Sequence, residues 1–412
     1  MIELKRKEDC CGCGACSQAC PVKCIQLAFD DEGFLYPKVT ADKCLHCSLC
    51  ERVCPVVNPD KSRTPLAVYA AKNKDGDVVE KSSSGGIFTA LAERVVRSGG
   101  VVFGARFDDQ WKVVLDCVET EDDLKHIRRS KYVQAYVGDS YIKAKKMLSQ
   151  GRLVLFSGTP CQISGLRHYL GRDYDSLILL DLICEGVPSP KIWNRYLSEE
   201  ICGLKKRYLE KEPDSKSGNI VIDDISFRDK TLGWKQFSFS ITSHLEFPDG
   251  RRADVPKYVN RNSSYLQCMF RYLHLRPICY ECPFKSCRSQ SDITLGDYWG
   301  IDKLHPDIDY KRGISMVYVN TPKGESIFDK SLFELRETSY SEAFKYNNVV
   351  SSVKKHPYRN RFFKRASSAP SIIELFDSNL WTRFERIKMG VRNVLGEKLY
   401  AKGADLWRRL RK

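Results

Sequence analysis

The chain has 412 residues, of which 42% are hydrophobic and 29% are charged, and its formal net charge is +15. This composition excludes a membrane-embedded protein, because no run approaches the roughly 20 apolar residues of a spanning helix. The length predicts two or three domains, and the charged N-terminus predicts no secretory signal. The basic charge comes without a recognisable nucleic-acid module, so nucleic acid is not a predicted partner.

Two cysteine runs near the N-terminus share the pattern Cys-x2-Cys-x2-Cys-x3-Cys-Pro, and each position recurs 34 residues later. Their members are Cys10, Cys13, Cys16 and Cys20, then Cys44, Cys47, Cys50 and Cys54. In bacterial dicluster ferredoxins the fourth cysteine of each such run binds the cluster of the other run. The pattern therefore predicts two 4Fe–4S clusters, single-electron transfer and a reducing cytoplasm. The neighbouring Cys11 and Cys24 are interpreted as packing residues.

After a polar linker over 55–65, the chain alternates between strand and helix patterns. Strands are predicted over 66–71, 101–107, 153–156 and 177–183, and helices over 87–97, 121–127 and 140–148. A further helix is predicted to follow the segment 157–162 and to end at about 170. This alternation indicates an α/β core with parallel strands. Residues 220–255 have the pattern of short antiparallel strands, and the chain beyond 330 is predicted to be mostly helical.

A second group of cysteines lies further along the chain. Cys161 and Cys184 each follow an apolar strand, and the carboxyl ends of parallel strands meet at the edge where ligands bind. Together with Cys279 and Cys282 they predict a third 4Fe–4S site, with Cys287 as a spare or a replacement ligand. A structural zinc is the alternative, because zinc also takes four thiolates.

Three further segments are candidate cofactor contacts, because the exchange of electrons between iron–sulfur clusters and a two-electron hydride carrier needs a flavin or its equivalent. Residues 83–86, Ser-Ser-Gly-Gly, open a predicted helix and suit an anion, although serine and glycine are also ordinary caps. Residues 157–160 form a similar turn beside Cys161. Lys131 and Tyr132 are candidates for a phosphate and a ring face, with a solvated surface pair as the alternative. Residues 297–300 are interpreted as a turn with core aromatics.

These motifs resemble the beta-subunit family of coenzyme F420 hydrogenase and dehydrogenase, joined to an N-terminal dicluster ferredoxin. The matching segments are 83–86, 130–134, 158–162, 184–189 and 279–300, in the family's order. The resemblance implies FAD beside a third 4Fe–4S cluster, and hydride exchange with coenzyme F420 or another organic acceptor. It implies Cys161, Cys184, Cys279 and Cys282 as cluster ligands, and Ser84, Gly85, Gly86, Lys131, Tyr132, Gly158, Thr159 and Pro160 as flavin contacts.

The expected fold is α+β or α/β in four parts. These are a dicluster ferredoxin domain over 1–60, a mixed α/β flavin- and cluster-binding region over 61–150 and 151–330, and a basic helical tail over 331–412. Residues 378–412 hold ten Lys or Arg against three Asp or Glu. This excess favours contact with an acidic protein or the inner face of a membrane, with a solvated amphipathic helix as the other interpretation.

The predicted function is that of a cytoplasmic iron–sulfur flavoprotein oxidoreductase, with a redox partner protein or ferredoxin on one side and a hydride carrier on the other. One alternative is a non-catalytic electron-transfer subunit that docks on a larger redox complex. Another is a ferredoxin fused to a binding domain that holds structural zinc and no flavin.

Overall fold

The computed structural model describes residues 1–209, 218–347 and 350–379. The cysteine repeats form a small unit with 3-10 turns at Lys7–Asp9 and Ala41–Lys43. Its elements are α1 (Ala15–Ala19), β1 (Ile25–Phe29), β2 (Leu35–Val39) and α2 (Leu49–Arg52), and β1 pairs antiparallel with β2. Both helices start after a left-handed residue, Gly14 with φ 72° and Ser48 with φ 57°. The sequence repeat of 34 residues is therefore also a structural repeat.

The rest of the described chain contains twelve strands and twelve helices. The strands are β3 (Ala67–Asn73), β4 (Val101–Phe107), β5 (Val113–Val118), β6 (Val154–Gly158), β7 (Leu177–Leu182), β8 (Asn219–Asp229), β9 (Ser238–Glu246), β10 (Arg252–Asp254), β11 (Tyr258–Asn260), β12 (Ile293–Asp297), β13 (Ser315–Val319) and β14 (Phe333–Thr338). The helices are α3 (Gly76–Glu80), α4 (Ile87–Arg97), α5 (Leu124–Ile127), α6 (Ser140–Ser149), α7 (Pro160–Leu170), α8 (Pro190–Leu209), α9 (Ser264–Phe270), α10 (Ile301–Leu304), α11 (Pro322–Ile327), α12 (Tyr340–Phe344), α13 (Arg359–Ala366) and α14 (Ile372–Asn379).

An eight-stranded mixed sheet forms the centre, in the order β14-β3-β13-β12-β7-β6-β4-β5. The four strands β12, β7, β6 and β4 run parallel, and the outer pairs are antiparallel. The parallel centre confirms the predicted α/β core. It also places the carboxyl ends of β6 and β7 side by side, which positions the segments that carry Cys161 and Cys184.

Both faces of the sheet are covered, because alternate residues of each central strand point to opposite sides. In β6, Val154 and Phe156 pack into the core shared with the ferredoxin unit, α6, α7 and α8, whereas Leu155 packs into the core under α4. All three side chains are completely buried. A second, antiparallel sheet of β8 to β11 joins the first of these cores, as the pattern of residues 220–255 predicted.

The C-terminal part differs from the predicted helical tail. It begins with β14, which pairs antiparallel with β3 at the sheet edge, from Phe333↔Asn73 to Thr338↔Val68. Only Phe333 of this strand is buried, as expected for a strand at the edge of the sheet. Helices α12 to α14 follow, and the basic residues beyond 379 lie outside the described residues. None of the described helices is long and apolar enough to cross a membrane.

Candidate functional site

In the ferredoxin unit, cysteines from both repeats lie near one another. The thiol pKa of Cys16 is raised to about 12 by burial and by the nearby thiols of Cys10 and Cys54. Cys54 also lies near Cys13, whose pKa is raised as well. The fourth cysteine of the second repeat thus joins the first three of the first repeat, and Cys10, Cys13, Cys16 and Cys54 are named the inner set.

The other repeat cysteines range from the buried Cys50 to the exposed Cys47. The thiols of Cys20 and Cys24 are 3.3 Å apart, and hydrogen bonding to Cys20 raises the pKa of Cys24 to about 11, followed by burial and the charges of Cys20 and Cys44. The Ile2 N–H donates to the Cys50 sulfur at 3.3 Å. Cys47, before α2, is exposed. Cys20, Cys44, Cys47 and Cys50 are named the outer set.

A third set of thiols meets beneath the carboxyl ends of β6 and β7. Cys161 lies in the first turn of α7, Cys184 follows β7, and Cys279 and Cys282 lie on and just after a 3-10 turn at Pro277–Glu281. All four line one space of about 50 Å³. Burial raises the thiol pKa of Cys184 to about 12, and Cys161 and Cys282 add to this effect. The structure therefore brings together the four cysteines that the sequence had grouped.

Gly186 allows these segments to approach one another. Its φ is +116°, and a Cβ at this position would lie 2.6 Å from Leu275 Cδ1 and 3.0 Å from Cys279 Cβ. A side chain at 186 would clash with Leu275 and Cys279. In the described part of the chain, no group of three His, Cys, Asp or Glu side chains is arranged to hold a metal ion.

Two cysteines outside the predicted ligand sets also border the 50 Å³ space. Cys11, predicted to be a packing residue, is buried and lies within hydrogen-bonding reach of both Cys13 and Cys161. It therefore connects the inner set with the third set. Cys287 has Asp181 and Arg63 as its charged neighbours, and burial raises its thiol pKa to about 12.

A cavity of about 310 Å³ shares the lining segment 182–187 with the 50 Å³ space and is named the sheet-edge cavity. Of the predicted flavin contacts, it is lined by Ser84, Gly86, Lys131, Tyr132, Gly158 and Thr159. Gly85 and Pro160 do not line it. A Cβ at Gly85 would lie 2.4 Å from the Ala71 carbonyl oxygen, so this glycine packs against β3, whereas Pro160 borders the thiol space. Cys184 borders both spaces.

The serine–glycine loop is held against the 130–134 segment. The Ser130 N–H donates to Ser83 Oγ at 2.8 Å, and Ser84 Oγ donates to the Ile314 carbonyl at 2.9 Å. Gly86, with φ 81°, is the N-cap of α4. An eleven-residue helix therefore directs its free N-terminal N–H groups toward the cavity wall, where they favour an anion.

Lys131 and Tyr132 belong to the cavity wall, so the interpretation as a solvated surface pair was wrong. Burial lowers the pKa of Lys131 to about 7, and the charge of Arg129 lowers it further. Lys131 Nζ donates to the Arg128 carbonyl at 2.7 Å, while Tyr132 Oη accepts from Arg228 Nη1 at 3.1 Å.

Arg228 and Asp297 form a charged pair that sequence reasoning missed. Arg228 Nη1 lies 2.5 Å from Asp297 Oδ2, and the arginine side chain is only 1% exposed. Its Nε and Nη2 are buried without a hydrogen-bond partner among the described residues. Trp299 stacks on Trp234 with ring centroids 5.0 Å apart. The 297–300 motif borders the cavity through Asp297 and Trp299, so it is more than a turn with core aromatics. No local sequence signal marked Arg228, which lies at the end of β8.

The fold and the repeat cysteines define an iron–sulfur protein with an electron-transfer domain. A 4Fe–4S dicluster domain model matches residues 9–58. The models of the coenzyme F420 hydrogenase/dehydrogenase beta subunit match residues 68–140 for the N-terminal part and 151–339 for the C-terminal part. Together the two beta-subunit models match more than half of the chain. The chain belongs to this oxidoreductase family, which confirms the resemblance seen in its motifs.

The names of the similar proteins all refer to F420. A coenzyme F420-dependent sulfite reductase of Methanocaldococcus jannaschii is 29% identical over 82% of this chain and 48% of its own length. A subunit of the F(420)H(2) dehydrogenase of Methanosarcina mazei is 25% identical over 45% of this chain and 55% of its own length. The chain spans about half the length of these curated relatives. A chain of the F420-reducing [NiFe] hydrogenase complex from Methanosarcina barkeri is 18% identical, with a TM-score of 0.40 over 76% of this chain and 91% of that chain.

Proposed function

We propose that the chain is an iron–sulfur flavoprotein oxidoreductase that connects the clusters of its ferredoxin unit, through a third 4Fe–4S cluster, to an FAD. The observation that carries this proposal is the position of Cys184, which borders both the thiol space and the sheet-edge cavity. A cluster on one side of the segment 182–187 and a flavin on the other would be close neighbours.

The third set suits a cluster larger than a single metal ion, because its four thiols line a shared space although no three of them in the described residues are arranged to hold one ion. Burial, with repulsion from neighbouring thiols, raises the pKa values of Cys184, Cys279 and Cys282. A hydrogen bond with Cys11, followed by burial, raises the pKa of Cys161. Without a metal the four thiols therefore stay protonated. Metal binding replaces those protons, because the ligand form of cysteine is the thiolate. The proposed ligands are Cys161, Cys184, Cys279 and Cys282, and the inner and outer sets are the proposed ligands of the dicluster domain.

The sheet-edge cavity fits a phosphorylated aromatic cofactor. Its volume of about 310 Å³ falls in the range of small-molecule pockets, roughly 300 to 1,000 Å³. The unpartnered Nε and Nη2 of Arg228 are donors that a ligand would satisfy. Gly86 and Lys131 offer backbone and amine donors to a phosphate, and Ser84, Gly158 and Thr159 border the same cavity. A bound flavin would couple single-electron carriers to two-electron hydride chemistry.

The two electrons of a hydride determine which kinds of partner the chain needs. Each hydride delivered to an organic acceptor needs two electrons, which enter one at a time from a redox partner protein or ferredoxin, together with one proton from solvent. The names of the relatives favour coenzyme F420 as the hydride carrier. In the reverse direction the same carrier would donate the hydride.

The decisive experiment is the iron, zinc and flavin content of anaerobically purified protein. About twelve irons and one flavin per chain are expected, and about eight irons with zinc and no flavin would overturn the proposal. Cys161→Ala and Cys282→Ala should each remove about four irons. Cys268→Ala is the matched control, because this buried cysteine lies near the Phe376 carbonyl and should leave the iron content unchanged.

The second candidate is an electron-transfer subunit of a larger complex. It is favoured by the relative that is itself named a subunit of a dehydrogenase. Reduction of coenzyme F420 by the isolated, chemically reduced chain distinguishes the two. Turnover by the chain alone supports the oxidoreductase, and twelve irons with flavin but no turnover would favour the subunit.

A further inference from the structure

Arg276 is completely buried between the ferredoxin unit and the α/β core. Its Nε donates to the Cys10 carbonyl at 2.8 Å, and its Nη2 donates to the Leu35 carbonyl at 2.8 Å. Its Nη1 donates to Gln134 Oε1 at 3.0 Å, and the guanidinium lies 4.3 Å from the ring centroid of Tyr36. The guanidinium is thus fixed in one place by both units.

The same guanidinium has thiols of two sets as neighbours. Its Nη2 is 3.5 Å from the Cys10 sulfur, in the inner set. In the third set, the Cys279 N–H donates to the Arg276 carbonyl at 3.0 Å, and both Cys279 and Cys161 interact with the guanidinium charge. A Cβ at Gly12 would lie 2.7 Å from Nη1, so the loop of the inner set closes directly over the guanidinium.

The partners of Arg276 differ from those of the other buried arginines. Three arginines are buried among the described residues, namely Arg228, Arg276 and Arg359. Arg228 pairs with Asp297 and Arg359 pairs with Glu32. In the described ranges, Arg276 has carbonyls, an amide oxygen and a thiol as partners, and it has no carboxylate within ion-pair distance. A buried cation needs a compensating negative charge, since burial otherwise penalises it heavily.

We propose that Arg276 is the shared countercharge of the inner-set cluster and the third cluster, and that it raises the reduction potential of both. A 4Fe–4S cluster with four thiolates is a net anion, and reduction adds one more negative charge. A fixed cation and an N–H donor to a cluster sulfur stabilise the reduced form and raise the potential. The role for the third cluster depends on the proposed function, whereas the role for the inner set does not.

The test is a potentiometric titration of the full chain, monitored by electron paramagnetic resonance. In Arg276→Gln, the ratio of reduced to oxidised inner-set cluster at a fixed potential should fall at least tenfold, a shift of about 59 mV for a one-electron couple. Arg276→Lys keeps the charge and should restore most of the ratio. Arg359→Gln, a buried arginine whose described contacts include no cysteine, is the control and should leave the ratio unchanged.

A change at Gln134 tests the same role if Arg276→Gln does not fold. Gln134→Glu preserves the shape of the side chain and places a carboxylate beside Nη1, so it should lower the same ratio. Unchanged ratios in Arg276→Gln and Gln134→Glu would overturn the proposal, as would equal losses in the Lys and Gln variants.

The iron content separates this proposal from the proposed function. If the wild-type chain holds about eight irons, the third cluster is absent and the shared role fails. If the iron count is about twelve and neither cluster potential changes in Arg276→Gln, the proposed function stands and Arg276 is a structural residue.

Discussion

Gly165 of α7 contacts Cys13 of the ferredoxin unit so closely that a Cβ at position 165 would lie 2.9 Å from both the Cβ and the sulfur of Cys13. Tyr141 Oη would be equally close. This glycine lies one helical turn after Cys161, so the helix that carries a third-set thiol also carries the contact surface for the inner set. This close contact between Gly165 and Cys13 determines how the ferredoxin unit packs against α7.

Gly165→Ala is therefore expected to destabilise the docked protein. Overpacking in a close-packed interior costs typically about 1–3 kcal/mol, which exceeds the gain of roughly 1 kcal/mol from better helix propensity. Gly203→Ala in α8 is the control, because nothing lies within 4 Å of a Cβ there, and it should raise stability. Anaerobic urea unfolding measures both, and a stabilised Gly165→Ala would contradict the docking contact.

The buried pair in the cavity wall yields a second prediction. Asp297→Ala leaves Arg228 buried without a carboxylate, and breaking such a pair should lower the free energy of unfolding by about 3–5 kcal/mol. Asp307→Ala is the control, since its pair with Arg336 is about half exposed, and it should cost less than about 1 kcal/mol. Equal effects of the two changes in a thermal unfolding experiment would show that burial of the pair contributes little.

Elements with strong local signals could be predicted from the sequence. The helix over 87–97 and the strand over 101–107 have the predicted bounds, because their apolar periodicity is clear and a Gly-Gly pair separates them. The strand β14 was missed because it is a short edge strand with one buried residue, which gives only a weak apolar pattern. α8 and β5 were not predicted either.

The candidate site could likewise be predicted only in part. The thiols of the third set could be grouped from sequence, since each followed a strand or shared a short spacing with another cysteine. Arg228 and Arg276 could not be found, because their roles arise from contacts with residues about 70 to 270 positions away, such as Asp297 and Cys10. Long-range contacts of this kind leave no local pattern in a single sequence.

A third prediction concerns the spare cysteine. Cys287→Ala should leave the iron content unchanged, because the charged neighbours of this thiol are Asp181 and Arg63 and not the other cysteines. The loss of stability should be near 1 kcal/mol, as for the removal of one small buried group. Iron analysis beside Cys282→Ala checks this, and a loss of about four irons in Cys287→Ala would make it a ligand.

The last prediction uses the buried amine of the sheet-edge cavity. Burial lowers the pKa of Lys131 from 10.5 to about 7, so the amine is mostly neutral above that pH in the empty cavity. An anionic phosphate bound nearby would favour the charged amine and raise its pKa. Binding above pH 7 is then coupled to the uptake of one proton, and FAD affinity should fall with rising pH, by up to about tenfold per pH unit.

Fluorescence titration of flavin-free protein with FAD measures this dependence across pH values from about 6 to 9. Lys131→Met should bind FAD more weakly below pH 7 and lose the slope above it, because no amine remains to take up the proton. Lys125→Met is the matched control, since this lysine of α5 is exposed and does not line the cavity, and it should keep the wild-type slope. An unchanged slope in Lys131→Met would exclude Lys131 as the group that takes up the proton on flavin binding.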